Sequence, residues 1–221
     1  MINILKILAS YVPLGICRRI STYRILKKLS FHEVNPKLFF KSKLELYKFA
    51  INKLGRENKV LFLEFGVFKG ESMKYFINNF INKKNKFFGF DSFEGLPEDW
   101  NSVIKKKHFN LYGKKPKIKD SRCFFIKGLF QNTLPKFNLK FNIKNNFKML
   151  IHFDADIYSS TLYSLAHTSN LKKNYFIIFD QFTGDESRAF NDFIISHKKN
   201  FEILGFTKYK NYPGQVFLKI F

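Results

Sequence analysis

Four oxygen-bearing side chains stand directly after two strand-like runs of the sequence. Asp154 and Asp156 follow the run MLIHF, and Asp180 and Gln181 follow the run YFIIF. Because ligands of an open parallel sheet bind beyond the carboxyl ends of its strands, we expect these side chains to converge on one edge. Three carboxylates and an amide form an all-oxygen set that suits a hard cation such as Mg²⁺. Capping of turns or helices is the alternative for Asp156 and Asp180, and for Asp156 both interpretations stay open because Ser159 is also available as a cap.

A second group of residues surrounds the first predicted strand-to-helix turn, LEFGVFKGES. Its spacing is G-x-x-x-G, in which Gly66 lets a ligand approach the backbone and Gly70 permits a tight turn into the helix. The N–H groups at Glu71 and Ser72 suit a ligand carboxylate. Asp91 ends the next strand, where a carboxylate accepts hydrogen bonds from a ribose diol. The glycines alone fit a purely structural turn equally well, but together with Asp91 they favour a nucleoside-type ligand.

Strand-like runs alternate with helical periodicity along most of the chain. Val60 to Phe65 is an apolar run apart from Glu64, as in a strand buried on both faces of a parallel sheet, and a helix follows from Glu71. Further strands are predicted at 86–91, 123–126, 149–153 and 175–179, and the tail is predicted to form two strands that turn at 211–214. This alternation predicts an α/β fold with a Rossmann-like, doubly wound, mostly parallel sheet, a terminal antiparallel strand and an N-terminal helical segment.

The chain divides into two predicted parts. Residues 1–57 are basic and mostly helical in pattern, with breaks near Pro13 and Pro36, and residues 58–221 form the Rossmann-like domain. Within that domain, the lysine-rich segment 97–119 contains Gly113 and Pro116 and has neither periodicity. A loop of this length is often a lid, so we expect it to close over the site.

The composition favours a folded protein with dispersed positive charge. The chain has 221 residues, 45% hydrophobic and 19% aromatic, and a net charge of +22. The lysines are spread, and the joint excess of Lys, Asn, Ile and Phe is typical of A/T-rich coding, so we expect no specific nucleic-acid partner. Cys17 and Cys123 are too few for a disulfide framework, and no apolar run is long enough to span a bilayer. We therefore expect a cytoplasmic protein, while the basic N-terminal segment leaves open peripheral contact with the inner membrane surface.

Five sequence blocks resemble the macrocin O-methyltransferase family, whose members methylate sugar hydroxyls in antibiotic and surface-glycan pathways. The blocks are LEFGVFKGES, FDSFEGLP, GLFQNTLP, HFDADIYSSTLYSL, and FDQF with RAFNDF, and they lie in family order between Leu61 and Phe193. The resemblance implies methyl transfer from S-adenosylmethionine to a hydroxyl of a sugar or glycan precursor, assisted by Mg²⁺.

The resemblance also implies which residues contact the cofactor. They are Glu64, Gly66, Gly70, Ser72, Asp91, Ser92, Phe93, Gly128, Gln131 and Asp154. Glu64, Gly66, Gly70 and Ser72 would hold the methionine end of the cofactor. Asp91 would bind the ribose, and Ser92 and Phe93 would lie beside the adenine. Gly128 and Gln131 belong to a G-x-x-Q segment that is also similar to the adenine-contacting turn of catechol O-methyltransferase. Asp154 would lie near the sulfonium.

For the metal and the base, the resemblance implies Asp154, Asp180 and Gln181 as ligands of Mg²⁺, and Asp154 also as the base. The sequence departs from the family at one of these positions, because the family usually has a second Asp where this chain has Gln181. Catechol O-methyltransferase has an amide there, so a carbonyl ligand is chemically acceptable. However, Gln is longer than Asn and uncharged, which weakens metal binding and leaves metal dependence open.

Four other residues have two interpretations each. His152 lies inside a predicted buried strand and is interpreted as a core histidine rather than a functional one. His108 and Trp100 lie in the predicted lid, where they either contact substrate or anchor the loop. Arg188 resembles an arginine of the family but is equally explained by surface pairing.

Two other kinds of function remain as alternatives. The positive charge allows a methyltransferase acting on RNA or on another small molecule, although no RNA-binding module and no base-methylating motif is recognisable. Loss of the metal through Gln181 would instead leave a non-catalytic protein that binds S-adenosylmethionine or a nucleotide. Homo-oligomer formation is also left open.

Overall fold

The computed structural model of the protein describes residues 11–12, 14–29, 36–140, 146–209 and 212–221. The helices are α1 (Leu14–Lys28), α2 (Lys43–Leu54), α3 (Glu71–Asn79), α4 (Phe130–Lys140), α5 (Tyr158–Thr168) and α6 (Asp185–Ser196), and a short 3-10 helix spans Pro36–Leu38. The strands are β1 (Phe39–Phe40), β2 (Val60–Phe65), β3 (Lys86–Asp91), β4 (Cys123–Lys127), β5 (Lys148–Phe153), β6 (Tyr175–Phe179), β7 (Phe201–Tyr209) and β8 (Tyr212–Ile220).

These strands form one sheet in the order β1-β7-β8-β6-β5-β2-β3-β4. Neighbouring strands are parallel, except that β8 runs antiparallel to both β6 and β7. The predicted fold class is therefore confirmed. Strand β2 pairs with β3 on one side and with β5 on the other, so the order of the strands reverses at β2. At such a switch point the connections leave the sheet on opposite faces and open a crevice beyond the carboxyl ends of the strands.

The central strands are mostly apolar because helices cover both faces of the sheet, and Glu64 of β2 and His152 of β5 are buried polar residues among them. On one face, Phe62 packs with residues of α2 and α3. On the other face, Leu63 and Phe65 pack with residues of α1, α4, α5 and α6. Strand β8 is divided in the same way, since Phe217 belongs to the first cluster and Leu218 to the second. Strands that are buried on both faces have nearly continuous hydrophobic sequences, which explains why these strands could be predicted from the sequence.

The turn predicted at 211–214 is wrong for the residues that the structure describes there. Tyr212, Pro213 and Gly214 belong to β8, where Tyr212 pairs with Tyr209. The carbonyl group of Gly214 accepts a hydrogen bond from the backbone N–H of Phe182 at 2.8 Å. Pro and Gly favour turns locally, and here the long-range contacts of the strand override that preference. Residues 210 and 211 lie outside the described residues.

Four elements of the predicted N-terminal segment 1–57 are described, namely α1, the 3-10 helix, β1 and α2. Helix α1 packs against α6, and α2 buries Leu46, Tyr47, Ala50 and Ile51 against the sheet. Strand β1 was not predicted; it pairs in parallel with β7, with Phe39 opposite Phe206. The domain boundary at residue 57 stays a prediction. Within the described ranges, no helix is long and apolar enough to cross a membrane.

The segment 97–119 contains neither a helix nor a strand and is fully described. It is tied to the end of β3 by an isolated bridge between Glu94 and Asn110. Pro116 and Ile118 reach back toward Gly70 at the start of α3. The predicted loop is thus present, and its role as a lid stays a prediction.

Candidate functional site

A cavity of about 510 Å³ lies at the carboxyl edge of the sheet, over the switch point. Eight of the residues predicted to bind cofactor or metal line it, namely Gly66, Asp91, Ser92, Gly128, Gln131, Asp154, Asp180 and Gln181. They come from five separate strand ends, and the parallel register brings them together. Asp156 and Trp100 also line this cavity.

Gly66 is required by the neighbouring strand. Its φ is +86°, and a Cβ placed on it would lie 1.8 Å from the carbonyl oxygen of Asp154. The close approach follows from the pairing of β2 with β5, in which Phe65 lies opposite Phe153. The sequence interpretation attributed this glycine to the approach of a ligand, whereas the backbone of the adjacent loop already accounts for it.

The carboxylate of Asp91 organises the turn after β2. Its Oδ2 accepts hydrogen bonds from the backbone N–H groups of Val67 and Phe68, both at 2.8 Å. Its Oδ1 accepts one from the N–H of Phe93 at 2.7 Å. A carboxylate has about four acceptor positions, so one remains for a ligand hydroxyl at the cavity wall.

The other four predicted cofactor residues do not line the cavity. Phe93 is 1% exposed and packs edge-on against Phe125. Gly70 is the N-terminal cap of α3 with a φ of 75°. Ser72 donates a hydrogen bond to Oε1 of Glu64 at 2.5 Å. The second oxygen of Glu64 is buried and has no hydrogen-bond partner among the described residues.

The carboxyl groups of Asp154 and Asp156 have pKa values close to neutrality. Burial raises the pKa of Asp154 to about 8, and the negative charge of Asp180 adds to the effect. Burial also raises the pKa of Asp156 to about 7, again with a contribution from Asp180. A group whose pKa lies near the working pH can both accept and release a proton, which is the requirement for acid–base chemistry.

Asp180 behaves in the opposite way. Burial acts to raise its pKa, but the contact with His152 and the charge of Lys43 outweigh burial and hold the pKa below its ordinary value. The ammonium nitrogen of Lys43 lies 2.9 Å from Oδ1 of Asp180. The hydroxyl group of Tyr47 donates to the same oxygen at 3.2 Å. Asp180 is therefore an ionised carboxylate paired with cations.

His152 is a satisfied core histidine, as the sequence indicated, and it also connects two acids. It is fully buried. Its Nδ1 lies 2.9 Å from Oε1 of Glu64, and its Nε2 lies 2.8 Å from the hydroxyl oxygen of Tyr47. Burial lowers the pKa of His152, but Asp180 and Glu64 more than offset burial and raise it to about 9.

Glu186 is part of this acidic group and was missed from the sequence. It is 1% exposed, and its Oε2 accepts a hydrogen bond from the backbone N–H of Gln181 at 3.1 Å. Its Oε1 is buried without a hydrogen-bond partner in the part of the chain that the structure describes. Burial raises its pKa well above the ordinary value, and the charges of Asp154 and Asp156 contribute. In sequence it looks like an ordinary acid in the first turn of a helix.

The predicted metal ligands do not fit a divalent cation in their present arrangement. Across the described ranges, no group of three or more His, Cys, Asp and Glu side chains is placed to hold a metal ion. The set that the family resemblance implies has only two carboxylates, from Asp154 and Asp180, with the amide of Gln181, although Asp156 lines the same cavity. One oxygen of Asp180 is engaged by Lys43 and Tyr47.

The other three residues that had two interpretations, Trp100, His108 and Arg188, lie in different surroundings. Trp100 lines the cavity. His108 packs edge-on against Phe109, with 4.5 Å between ring centroids, and Phe109 in turn lines the cavity. Arg188 pairs with Asp185 at 2.9 Å, which agrees with the surface-pairing interpretation.

The strand order, with antiparallel β8 between β6 and β7, and the cavity over the switch point are those of the Rossmann-like methyltransferases. The fold is similar to that of an O-methyltransferase from Bacillus cereus in complex with SAH, with a TM-score of 0.51 and 13% identity over 90% of this chain and 89% of that one. It is also similar to TomG, an O-methyltransferase from Streptomyces achromogenes involved in tomaymycin synthesis and solved with SAM, with a TM-score of 0.51 and 10% identity over 92% of this chain and 88% of that one. No curated protein sequence matches the chain.

A family model for macrocin O-methyltransferases matches residues 41–204, and the chain belongs to that family. The protein is an O-methyltransferase that depends on S-adenosylmethionine. The match includes α2 and every strand from β2 to β6. It therefore includes the acidic edge of the cavity, which is the part of the wall formed by Asp91, Asp154, Asp156 and Asp180.

Proposed function

We propose that the protein methylates a hydroxyl group of a sugar or glycan precursor and that Asp154 is the base. The observation that carries the proposal is the position of Asp154 in the cavity wall beside Gly66, with a pKa raised to about 8. S-adenosylmethionine supplies an electrophilic methyl group when it is bound. Since an ionised carboxylate of this pKa is a stronger base than an ordinary one, it suits the removal of a proton from an alcohol.

In the proposed reaction, the carboxylate of Asp154 accepts the proton of the acceptor hydroxyl while the hydroxyl oxygen attacks the methyl carbon. One O–C bond forms and one S–C bond breaks, so the products are a methyl ether and S-adenosylhomocysteine. Positioning of the two substrates against each other contributes much of the acceleration. The segment 97–119, which carries Trp100 and Phe109 at the cavity wall, would exclude water.

The assignments for the cofactor rest on hydrogen-bonding capacity. Asp91 keeps one acceptor position for a ribose hydroxyl after binding three backbone N–H groups. Ser92, Gly128 and Gln131 follow the neighbouring strands β3 and β4, line the cavity and would surround the adenine. The unpartnered Oε2 of Glu64 is a buried acceptor, and such an oxygen is costly to leave without a donor. Glu64 does not line the cavity, so its contact with the methionine end of the cofactor stays a prediction from the family resemblance.

A polyhydroxylated acceptor suits the opposite wall of the cavity. That wall includes Thr207, Lys208 and Gln215 from the last two strands. The hydroxyl group of Thr207 donates to Oε1 of Gln215 at 2.6 Å, and Nε2 of Gln215 donates to the carbonyl oxygen of Asp180 at 2.8 Å. The exposed cation of Lys208 favours an acceptor that carries a phosphate, such as a nucleotide-linked sugar.

The family resemblance also implies assistance by Mg²⁺, and this prediction is separate from the proposed reaction. The ligands would be Asp154, Asp180 and Gln181, but their present arrangement does not fit a divalent cation. No step of the proposed reaction therefore passes through a metal.

Thermal unfolding tests the cofactor site. S-adenosylhomocysteine at millimolar concentration should raise the melting temperature by mass action. Asp91→Ala should remove most of that shift, whereas the matched control Glu94→Ala, at an exposed acid three residues away, should keep it. The absence of any shift in the wild type would contradict the proposal.

Nucleotide sugars and radiolabelled S-adenosylmethionine then test the reaction. Asp154→Asn should lose turnover but keep the thermal shift, and full turnover in that variant rules out Asp154 as the base.

We also infer that α1 contacts an anionic membrane surface. Its outer face exposes Ile16, Ile20 and Tyr23, with exposed fractions of 48%, 55% and 61%. These residues are spaced one helical turn apart, and exposed Arg19 and Lys27 flank them. Apolar side chains bordered by cations are typical of helices that lie in the headgroup region of a bilayer.

A further inference from the structure

Helix α2 directs a cation onto the acidic edge of the cavity. Lys43 is the first residue of the helix, which begins after Ser42, whose side chain accepts a hydrogen bond from the N–H of Glu45. The ammonium nitrogen of Lys43 lies 2.9 Å from Oδ1 of Asp180. Tyr47, one turn further along the same helix, donates its hydroxyl proton to the same oxygen at 3.2 Å. One helix therefore provides two donors to one carboxylate.

The contact continues into the protein core as a chain of hydrogen bonds. The hydroxyl oxygen of Tyr47 lies 2.8 Å from Nε2 of His152, whose Nδ1 lies 2.9 Å from Glu64. With a proton on Nε2 of His152, this nitrogen donates to the hydroxyl oxygen of Tyr47, and the hydroxyl proton of Tyr47 is free to donate to Asp180.

Lys43 lies among several acids of the cavity. It contacts Asp180 directly, and Asp154 and Asp156 line the same cavity. Glu64 also acts electrostatically on Lys43, so the ammonium group of Lys43 faces more than one acid of this site. Carboxylates that share one site cannot all stay ionised without a nearby cation. A divalent metal ion is one solution to that requirement, and here side chains of the protein already provide positive charge.

We propose that the Lys43 ammonium group supplies, at the acidic edge of the cavity, the positive charge that a divalent metal ion supplies in a metal-assisted site, and that it positions Asp180 together with Tyr47. The proposal rests on the proposed function, because it concerns the same cavity. Lys43 is a positioning residue in this scheme: it contacts Asp180, and Asp180 lines the cavity beside the base. The poor fit of the predicted metal ligands then has a direct cause, since lysine and metal compete for one oxygen.

Metal titration of the purified protein tests this competition without any acceptor substrate. Thermal unfolding is measured with increasing MgCl2 at constant ionic strength, set with NaCl so that general screening does not contribute. Binding of Mn²⁺, followed by electron paramagnetic resonance, is the second readout. The wild type should show no Mg²⁺-specific shift, whereas Lys43→Met should gain one and bind Mn²⁺ at least about tenfold more tightly, because the competing charge is gone. Lys43→Arg keeps the charge and should behave like the wild type.

Lys48→Met is the matched control, since it removes the same charge from an exposed position of the same helix. It should respond to the metals as the wild type does. A Mg²⁺-specific shift in the wild type that Lys43→Met leaves unchanged overturns the proposal, and so does a Lys43→Met variant that stays insensitive to both metals. The thermal shift with S-adenosylhomocysteine should survive in all three variants. Its absence in the wild type would instead indicate failure of the proposed function.

Discussion

Replacement of the Asp154 carboxyl by an amide is expected to stabilise the protein at alkaline pH while it abolishes turnover. The pKa of Asp154 is about 8 in the folded protein, against an ordinary value of 3.8. Between these two values the folded state holds a proton that the unfolded state has released. The free energy of unfolding therefore falls as pH rises through this interval, by up to about 1.4 kcal/mol per pH unit for one proton. At pH 8 the total loss in the free energy of unfolding of the wild type has an upper limit of about 6 kcal/mol, and relaxation around the buried charge makes the loss smaller.

Urea unfolding of the wild type and of Asp154→Asn, from about pH 5 to about pH 8 and in the presence of chelator, measures this effect. The amide does not titrate, so the stability advantage of the variant should be small at the acidic end and should grow with pH. Glu202→Gln, which neutralises an exposed carboxyl group of β7, should show no such growth. A difference between Asp154→Asn and wild type that is independent of pH would refute the reasoning, as would a wild type that is the more stable protein at pH 8.

Three further predictions concern the base, the central glycine and the first helix. The rate of methyl transfer should rise with pH through an apparent pKa near 8, because Asp154 must be ionised to accept a proton; a rate that falls over this range in a pH–rate profile would exclude it as the base. Gly66→Ala should lower the free energy of unfolding by roughly 3 kcal/mol or more in a denaturant titration, because its Cβ would lie 1.8 Å from a carbonyl oxygen. Gly184→Ala, at the same φ but with nothing within 4 Å, should cost less, and equal losses would contradict the argument. Ile20→Ser should weaken flotation with vesicles of anionic lipid, whereas Val103→Ser, 84% exposed in the segment 97–119, should not; unchanged flotation together with loss of a dimer in light scattering would identify a second copy as the partner of α1.

Much of the fold was predictable because burial leaves a local signature. The run Val60 to Phe65 is apolar except at Glu64 since helices cover both faces of β2, and it was predicted with the observed limits. The strands Lys86 to Asp91 and Tyr175 to Phe179 were also predicted with the observed limits. Local signals failed where tertiary contacts override them. Helix α4 contains Pro135 and was not predicted, and Pro213 and Gly214 read as a turn although β7 and Phe182 hold them in a strand.

The meeting of the acids was also predictable, from topology rather than from contacts. In a parallel sheet the carboxyl ends of the strands share one edge, so Asp154 and Asp180 had to approach Asp91 and Gly66. All four line the cavity. Their protonation was not predictable, because the pKa of a carboxyl group depends on burial and on neighbouring charges. Asp154 and Asp180 each follow an apolar strand directly, yet their pKa values move in opposite directions.

What the sequence by itself determined is therefore the alternation of the main strands with helices, the family blocks and the edge at which the chemical groups gather. Only the tertiary structure decided which cation meets which acid. Lys43 is one of 39 Lys and Arg residues, and no local pattern distinguishes it from the others. Tyr47 lies 105 positions from His152 and 133 from Asp180 in sequence. Such contacts depend on how α2 docks onto the sheet, and the packing of whole elements sets that docking, whereas local sequence patterns report only on the elements themselves.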